Sequence, residues 1–126
     1  MPIRYAIYKE LRLVISTASD RVTFADIKSH QDQLLNDPDF DPQFNQFIDM
    51  TAVTVLDIST QEAIVVAKRK IFSRMSQRAF VASTPEVFGL GRMMEAYNES
   101  DAKSQACVFS DVPSALKWLG LESLPQ

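Results

Sequence analysis

Residues 77–86 read Gln-Arg-Ala-Phe-Val-Ala-Ser-Thr-Pro-Glu, and the reading of this decade decides the fold. Gln77 to Ala82 is a short strand-forming run. Thr84-Pro85-Glu86 follows at once with a helix cap, a proline at the first helical position and an acid in the first turn. A strand leading directly into a capped helix is half of a βαβ unit, and the pattern recurs on both sides. Upstream, Phe44 to Met50 reads as a strand, and after a short crossing Ser59 or Thr60 begins a helix running to about Ser73. Downstream, the helix that Thr84 opens extends to about Asn98. Gln105 to Phe109 is the last strand, and Asp111 caps a final helix that Gly120 stops.

The amino-terminal part completes the order. Ile3 to Tyr8 and Leu11 to Thr17 alternate as two strands, with Ile3, Tyr5 and Ile7 on one face and Leu11, Leu13 and Ile15 on another. Lys9 and Glu10 leave room only for a tight hairpin, although neither is a favoured turn residue. Thr23 with Asp26 forms a capping box in which Asp stands for Glu, and Phe24, Ile27, Leu34 and Leu35 form the stripe of the helix it opens. Asp37-Pro-Asp-Phe-Asp-Pro42 is turn chemistry. The expected order is β-β-α-β-α-β-α-β-α over a single α/β domain, residues 1–126. Helices pack on a mostly parallel sheet whose amino-terminal strand is antiparallel.

Composition agrees. Of 126 residues, 46% are apolar and 23% charged, the balance of an ordinary globular domain. No apolar run approaches the roughly 20 residues of a transmembrane helix, and no signal core opens the chain. Cys107 is the single cysteine, in an apolar strand, so no internal disulfide forms and a cytoplasmic location is expected. The net charge of −3 argues against general nucleic-acid binding. Between Asp20 and Glu62 there are nine acids against Arg21 and Lys28, whereas Lys68, Arg69, Lys70, Arg74 and Arg78 form a basic run without an acid. That run complements a helix C-terminus and is also a candidate docking surface for an acidic partner or phosphate-bearing ligand.

Catalytic and metal-binding signals are sparse. His30 is the single histidine, on the first helix between Ile27 and Leu34, and reads as structural. Asp37, Asp39 and Asp41 repeat as D-x-D-x-D, but Pro42 and Ile48 occupy the positions where a calcium loop needs Gly and Glu, so neither metal nor cofactor is expected. Gly89 and Gly91 fall inside a helix, which calls for close packing of a neighbouring element. Asp57-Ile-Ser-Thr-Gln-Glu62 carries the most suggestive pattern. Ser59 with Glu62 is a capping box, and a hydroxyl at a helix start is also a place where phosphate is electrostatically favoured.

The stretch Phe47-Ile-Asp-Met-Thr-Ala-Val-Thr-Val-Leu-Asp-Ile-Ser-Thr60 resembles the central segment of STAS domains, typified by the anti-sigma-factor antagonist SpoIIAA. Val81-Ala-Ser-Thr-Pro-Glu-Val-Phe-Gly-Leu-Gly-Arg-Met-Met94 is similar to small bacterial SpoIIAA-like proteins described as STAS/SEC14-like. The resemblance implies a SpoIIAA-like fold. Asp57 matches the family's aspartate and Ser59 the second serine of its pair, but Ile58 occupies the phospho-acceptor position, and the expected glycine is missing, Gln61 following Thr60.

Three roles follow as expectations. The first is a non-catalytic regulatory or protein-interaction module, meeting a protein partner through Asp57, Ser59, Thr60 and Glu62 and the basic run, with no deep pocket. The alternative is a carrier of a small apolar ligand or lipid, with Phe72, Met75, Phe88, Met93, Met94 and Tyr97 lining an adaptable cavity. An enzyme is the third, requiring Asp49 and Asp57 to converge with Arg92. A homodimer through the first hairpin, with Tyr5 and Tyr8, is also anticipated.

Overall fold

Arg12 governs how the chain first turns back. In the computed structural model, which describes residues 2–73, 75–100 and 105–125 and all their side chains except 94 and 96–100, strand β1 (Ile3–Tyr8) pairs antiparallel with β2 (Leu13–Thr23) from Tyr8↔Leu13 to Ile3↔Ala18. The connection is not a two-residue hairpin. A 3₁₀ turn over Lys9–Leu11 is closed by Arg12 at φ 52°, whose N–H donates to the Lys9 carbonyl at 3.1 Å. Two-residue loops need positive φ at their centre, which Lys and Glu resist; the longer turn confines that strain to Arg12. Leu11 is thereby spent in the turn and exposed, and the buried alternation begins at Leu13.

Thereafter strand and helix alternate: α1 (Phe24–Leu35), β3 (Asn45–Asp57), α2 (Thr60–Lys68), β4 (Gln77–Val81), α3 (Pro85–Ser100), β5 (Gln105–Phe109) and α4 (Val112–Leu119). The expected capping residues occupy their places. Thr23 and Asp26 form one capping box, Ser59 and Glu62 another, and the Asp111 carboxylate accepts from Ser114 N–H at 2.8 Å. Gly120 ends α4 at φ 77°.

The five strands lie in sequence order, β1-β2-β3-β4-β5, and every pair after the first is parallel. Parallel crossovers are right-handed, so three that step across the sheet in one direction leave α1, α2 and α3 on the same face. The strand alternation agrees. Leu13, Phe47, Ala79 and Val81 point to α4, where they pack with Ala115 and Leu119. Val14 and Ala18 of β2 point the other way, toward Leu34 of α1 and Val87 of α3. Phe47 is wholly buried at the centre of the α4 side, a burial that contributes about 1.5–3 kcal/mol.

Two strands run further than their periodicity suggests. β2 continues to Thr23 and β3 to Asp57, paired to their ends, past the ends of β1 and β4. Register shifts at Thr17/Ser19 and Asp20/Arg21, with Asp20 at φ 60°, twist this extension. Helix α2 is shorter than expected, because Arg69 leaves it in an extended conformation and Ile71 turns into the core.

The two helical glycines of α3 differ. A Cβ on Gly91 would sit 2.8 Å from Val108 Cγ2 on β5, whereas one on Gly89 would meet nothing within 4 Å. The close approach at Gly91 is thus to a strand. Gly91→Ala is expected to destabilise the protein by about 1–3 kcal/mol through overpacking. Gly89→Ala is expected to stabilise it by up to about 1 kcal/mol through helix propensity. Chemical denaturation of the two variants should give opposite signs.

Candidate functional site

Helix α2 meets α1 and α3 and makes little contact with the strands below it. Four of the lining positions beneath and beside it are small: Ala18 on β2, Ala67 on α2, Ala82 after β4 and Gly91 on α3. A short helix bridging two others over small side chains leaves a space, and a cavity of about 120 Å³ lies between the sheet and the three helices. Its walls are mainly aliphatic and aromatic, with Ile48 and Phe80 from the strands, Val66 from α2 and Leu90 from α3.

One side of the cavity is polar. Ser16, His30 and Gln46 are buried in a row across the sheet face: Gln46 Nε2 donates to Ser16 Oγ at 2.9 Å, and Ser16 Oγ lies 2.9 Å from His30 Nε2. Ser16 Oγ, which accepts from Gln46, still has its own proton and a second lone pair with which to meet His30 Nε2. Burial pushes the His30 pKa down to about 4, so the ring is neutral at pH 7. Its ring also packs at a tilt on Tyr5, 5.4 Å between centroids. Ser16 is wholly buried, and no carboxylate among the described residues orients His30, so this pair fastens α1 to the sheet. His30 is more deeply buried than its helical position alone implies.

The row continues to Arg78. In the β3–β4 ladder Gln46 pairs with Arg78, and Arg78, Gln46 and His30 all line the cavity. The Arg78 guanidinium lies over the Phe72 ring at 5.5 Å. Its Nε and Nη2 are shut off from solvent without a hydrogen-bond partner. Burial draws its pKa down to about 10, leaving it charged at pH 7.

The basic run is therefore not one solvated surface. Lys68 and Lys70 are exposed, Arg74 lies outside the described residues, and Arg78 points inward. Arg69 crosses to α1, donating to Asp32 at 2.6 Å and to Gln31 at 3.1 Å; that hydrogen bond holds the Asp32 carboxyl below the usual carboxylate range. Strand alternation sets Arg78 inward, against its desolvation cost, because it shares a strand face with Phe80, two residues on. Sequence reasoning counted Arg78 as one charge in a run; the alternation Arg78, Phe80, Ala82 was the signal that it faces the core. Ser16 and Gln46 carried no signal beyond their places on an inward strand face.

Among the apolar candidates, Phe72 lines the cavity, whereas Phe88 packs into the core beside Val87 and Met93 is half-buried outside the cavity wall. Met75 is 73% exposed, because the chain after Phe72 has already left the helical layer. The side chains of Met94 and Tyr97 lie outside the described residues. Asp57, Ser59, Thr60 and Glu62 do meet at the start of α2. Ser59 Oγ accepts from Glu62 N–H at 3.1 Å, Glu62 accepts from Ser59 N–H at 2.9 Å, and Asp57 pairs with Arg21 on the surface. Ser59 and Thr60 are exposed.

Asp49 accepts from Thr51, Asp57 from Arg21, and Arg92 pairs with Glu95, so the three belong to separate local contacts. Asp37 and Asp41 accept from the backbone N–H groups of Asp39 and Gln43 as turn carboxylates do. Tyr5, offered for a dimer contact, turns inward and donates to Asp37 at 2.8 Å.

Among solved structures, the chain is similar to an uncharacterized protein of the DUF3478 family with a SpoIIAA-like fold from Shewanella loihica. The two share 17% sequence identity and superpose with a TM-score of 0.58 over 93% of each chain. The chain thus has the SpoIIAA-like fold that its motifs resemble, with a five-stranded mixed sheet and four helices. No protein-family model matches the sequence, and no curated protein matches it. No helix among the described residues is long and apolar enough to cross a membrane.

The buried histidine makes stability depend on pH. Its folded pKa of about 4 lies below the unfolded value of 6.5, so the unfolded chain takes up the proton first as pH falls. The stability is fully present above about pH 6.5 and is lost between there and about pH 4, by about 3 kcal/mol in total. Urea unfolding from pH 7 to 4 should show this loss, and His30→Gln should flatten the profile over that window.

Proposed function

We propose that this SpoIIAA-like domain is a non-catalytic binding module for a compact apolar ligand. The cavity between the sheet and α1–α3 carries this reading. Native interiors are packed to the density of organic crystals and hold few voids larger than a water molecule. A space of about 120 Å³ is therefore a feature to be explained. It approaches the roughly 150 Å³ apolar cavity that admits benzene. It falls short of the 300–1,000 Å³ of larger ligand sites, which favours a ligand of six to ten heavy atoms, roughly, over a two-chain lipid.

An interaction role is the second reading, and one observation favours it. Ile58 lines the cavity between Asp57 and Ser59, and Val66 and Ala67 line it from the helix that Ser59 caps. A ligand in the cavity touches the element whose exposed start carries the Asp57–Glu62 surface. Occupancy and partner binding are coupled if the ligand has different affinities for two placements of α2.

Benzene added to isotopically labelled protein should shift the methyl resonances of Ile48, Val66 and Leu90 in a saturable manner, and leave those of exposed Leu11 and Val55 in place. Ala67→Leu, which fills the space from a half-buried position, should weaken the response by about ten-fold or more. Shifts confined to surface methyls, or no shift at all, would remove the ligand-binding reading.

A further inference from the structure

Among the described residues, the cavity has a charge without a counter-charge. No described aspartate or glutamate lines it, and the two cations that do are treated differently. Arg69 is matched by Asp32 at 2.6 Å. Arg78 makes no ion pair among the described residues, and its Nε and Nη2 are buried with no partner. Burying a charge is expensive unless it is paired and hydrogen-bonded, and buried polar groups in native proteins are almost always satisfied. Contact with the Phe72 face offsets part of this. It leaves the N–H groups of Nε and Nη2 unused.

Which N–H groups remain is informative. Nε–H and the nearer N–H of Nη2 lie side by side in the guanidinium plane and point the same way. That edge is a two-pronged donor whose spacing matches the two oxygens of a carboxylate. A phosphate dianion fits less well, since one guanidinium edge supplies two donors and the second cation is already committed to Asp32. The rest of the cavity, with Ile48, Phe80 and Leu90, asks for an apolar body.

We infer that the ligand is a monocarboxylate with a compact apolar body, its carboxylate held by Nε and Nη2 of Arg78 and its body seated among the aliphatic and aromatic walls under α2. The inference rests on the ligand-binding reading above and adds the chemical class. It also gives Arg78 a reason to be where it is. An unpaired buried cation costs stability in the empty protein, and the anion of the ligand supplies what the fold omits.

Benzoate and benzyl alcohol test it, because they share a ring that suits the space and differ in the charged head. Binding of each to the full chain is followed by the methyl resonances of Ile48 and Leu90, for the native sequence and for Arg78→Met. Arg78→Gln replaces it if the methionine variant does not fold. Benzoate is expected to bind the native protein at least about ten-fold more tightly than benzyl alcohol, and Arg78→Met is expected to abolish that advantage while retaining benzyl alcohol. Equal affinities, or an advantage that survives Arg78→Met, would overturn the carboxylate assignment and leave the apolar cavity standing. Binding of neither compound would overturn the cavity reading and the assignment with it.

Discussion

Three right-handed crossovers stepping the same way across a parallel sheet form the constraint on which the molecule depends. Once β2, β3, β4 and β5 lie in sequence order, their connecting helices have no choice of side. Three helices crowd one face and α4 alone serves the other. The α4 side closes as an ordinary core, with Phe47 buried between Leu13, Ala79 and Leu119. On the crowded side α1 and α3 rest on the strands, and the short α2 bridges them. The cavity is the space below that bridge.

The same geometry explains why polar groups gather there. Strand residues facing three helices are withdrawn from water, so polar side chains among them must satisfy one another. Gln46, Ser16 and His30 do so through two hydrogen bonds of 2.9 Å, which tie β3, β2 and α1 together. Each such bond contributes only about 0.5–1.5 kcal/mol net, but the cost of leaving one of these groups unpaired is larger, which locks the arrangement. Arg78 continues the row on β4 and breaks the pattern by leaving Nε and Nη2 unused. A fold that satisfies three neighbours and leaves the fourth open has placed its departure from local consistency where a ligand is best accommodated.

Much of the framework was legible in the residues themselves. The capping boxes at Thr23 and Ser59, the cap at Asp111 and the stop at Gly120 are local chemistry, and all four stand where their spacing places them. Strand periodicity located β1, β4 and β5 to within a residue or two. It placed the start of β2 too early, because Leu11 continues the alternation but serves a turn, and it ended β3 at Met50, seven residues short of Asp57. Those seven residues are stabilised by pairing with β2, a contact that lies some 30 positions away in sequence. The site was far less legible. Phe72, chosen by its type, lines the cavity, whereas Met75 shares that type and is exposed, because side-chain chemistry says nothing of the path of the loop that carries it.

Sequence alone determined the order of elements, their caps and the parallel sense of most connections, since caps and turns follow from backbone sterics and hydrogen bonds within a few residues; the face on which each helix lies needed the strand order as well. Only the tertiary structure decided that α2 stands off the sheet, that Arg69 finds Asp32 while Arg78 meets no acid among the described residues, and that Arg78 lines an apolar space. The physical reason is one of range. Caps and turns are settled by bonds between near neighbours in the chain, but desolvation, packing density and charge pairing depend on which distant segments come to share one interior.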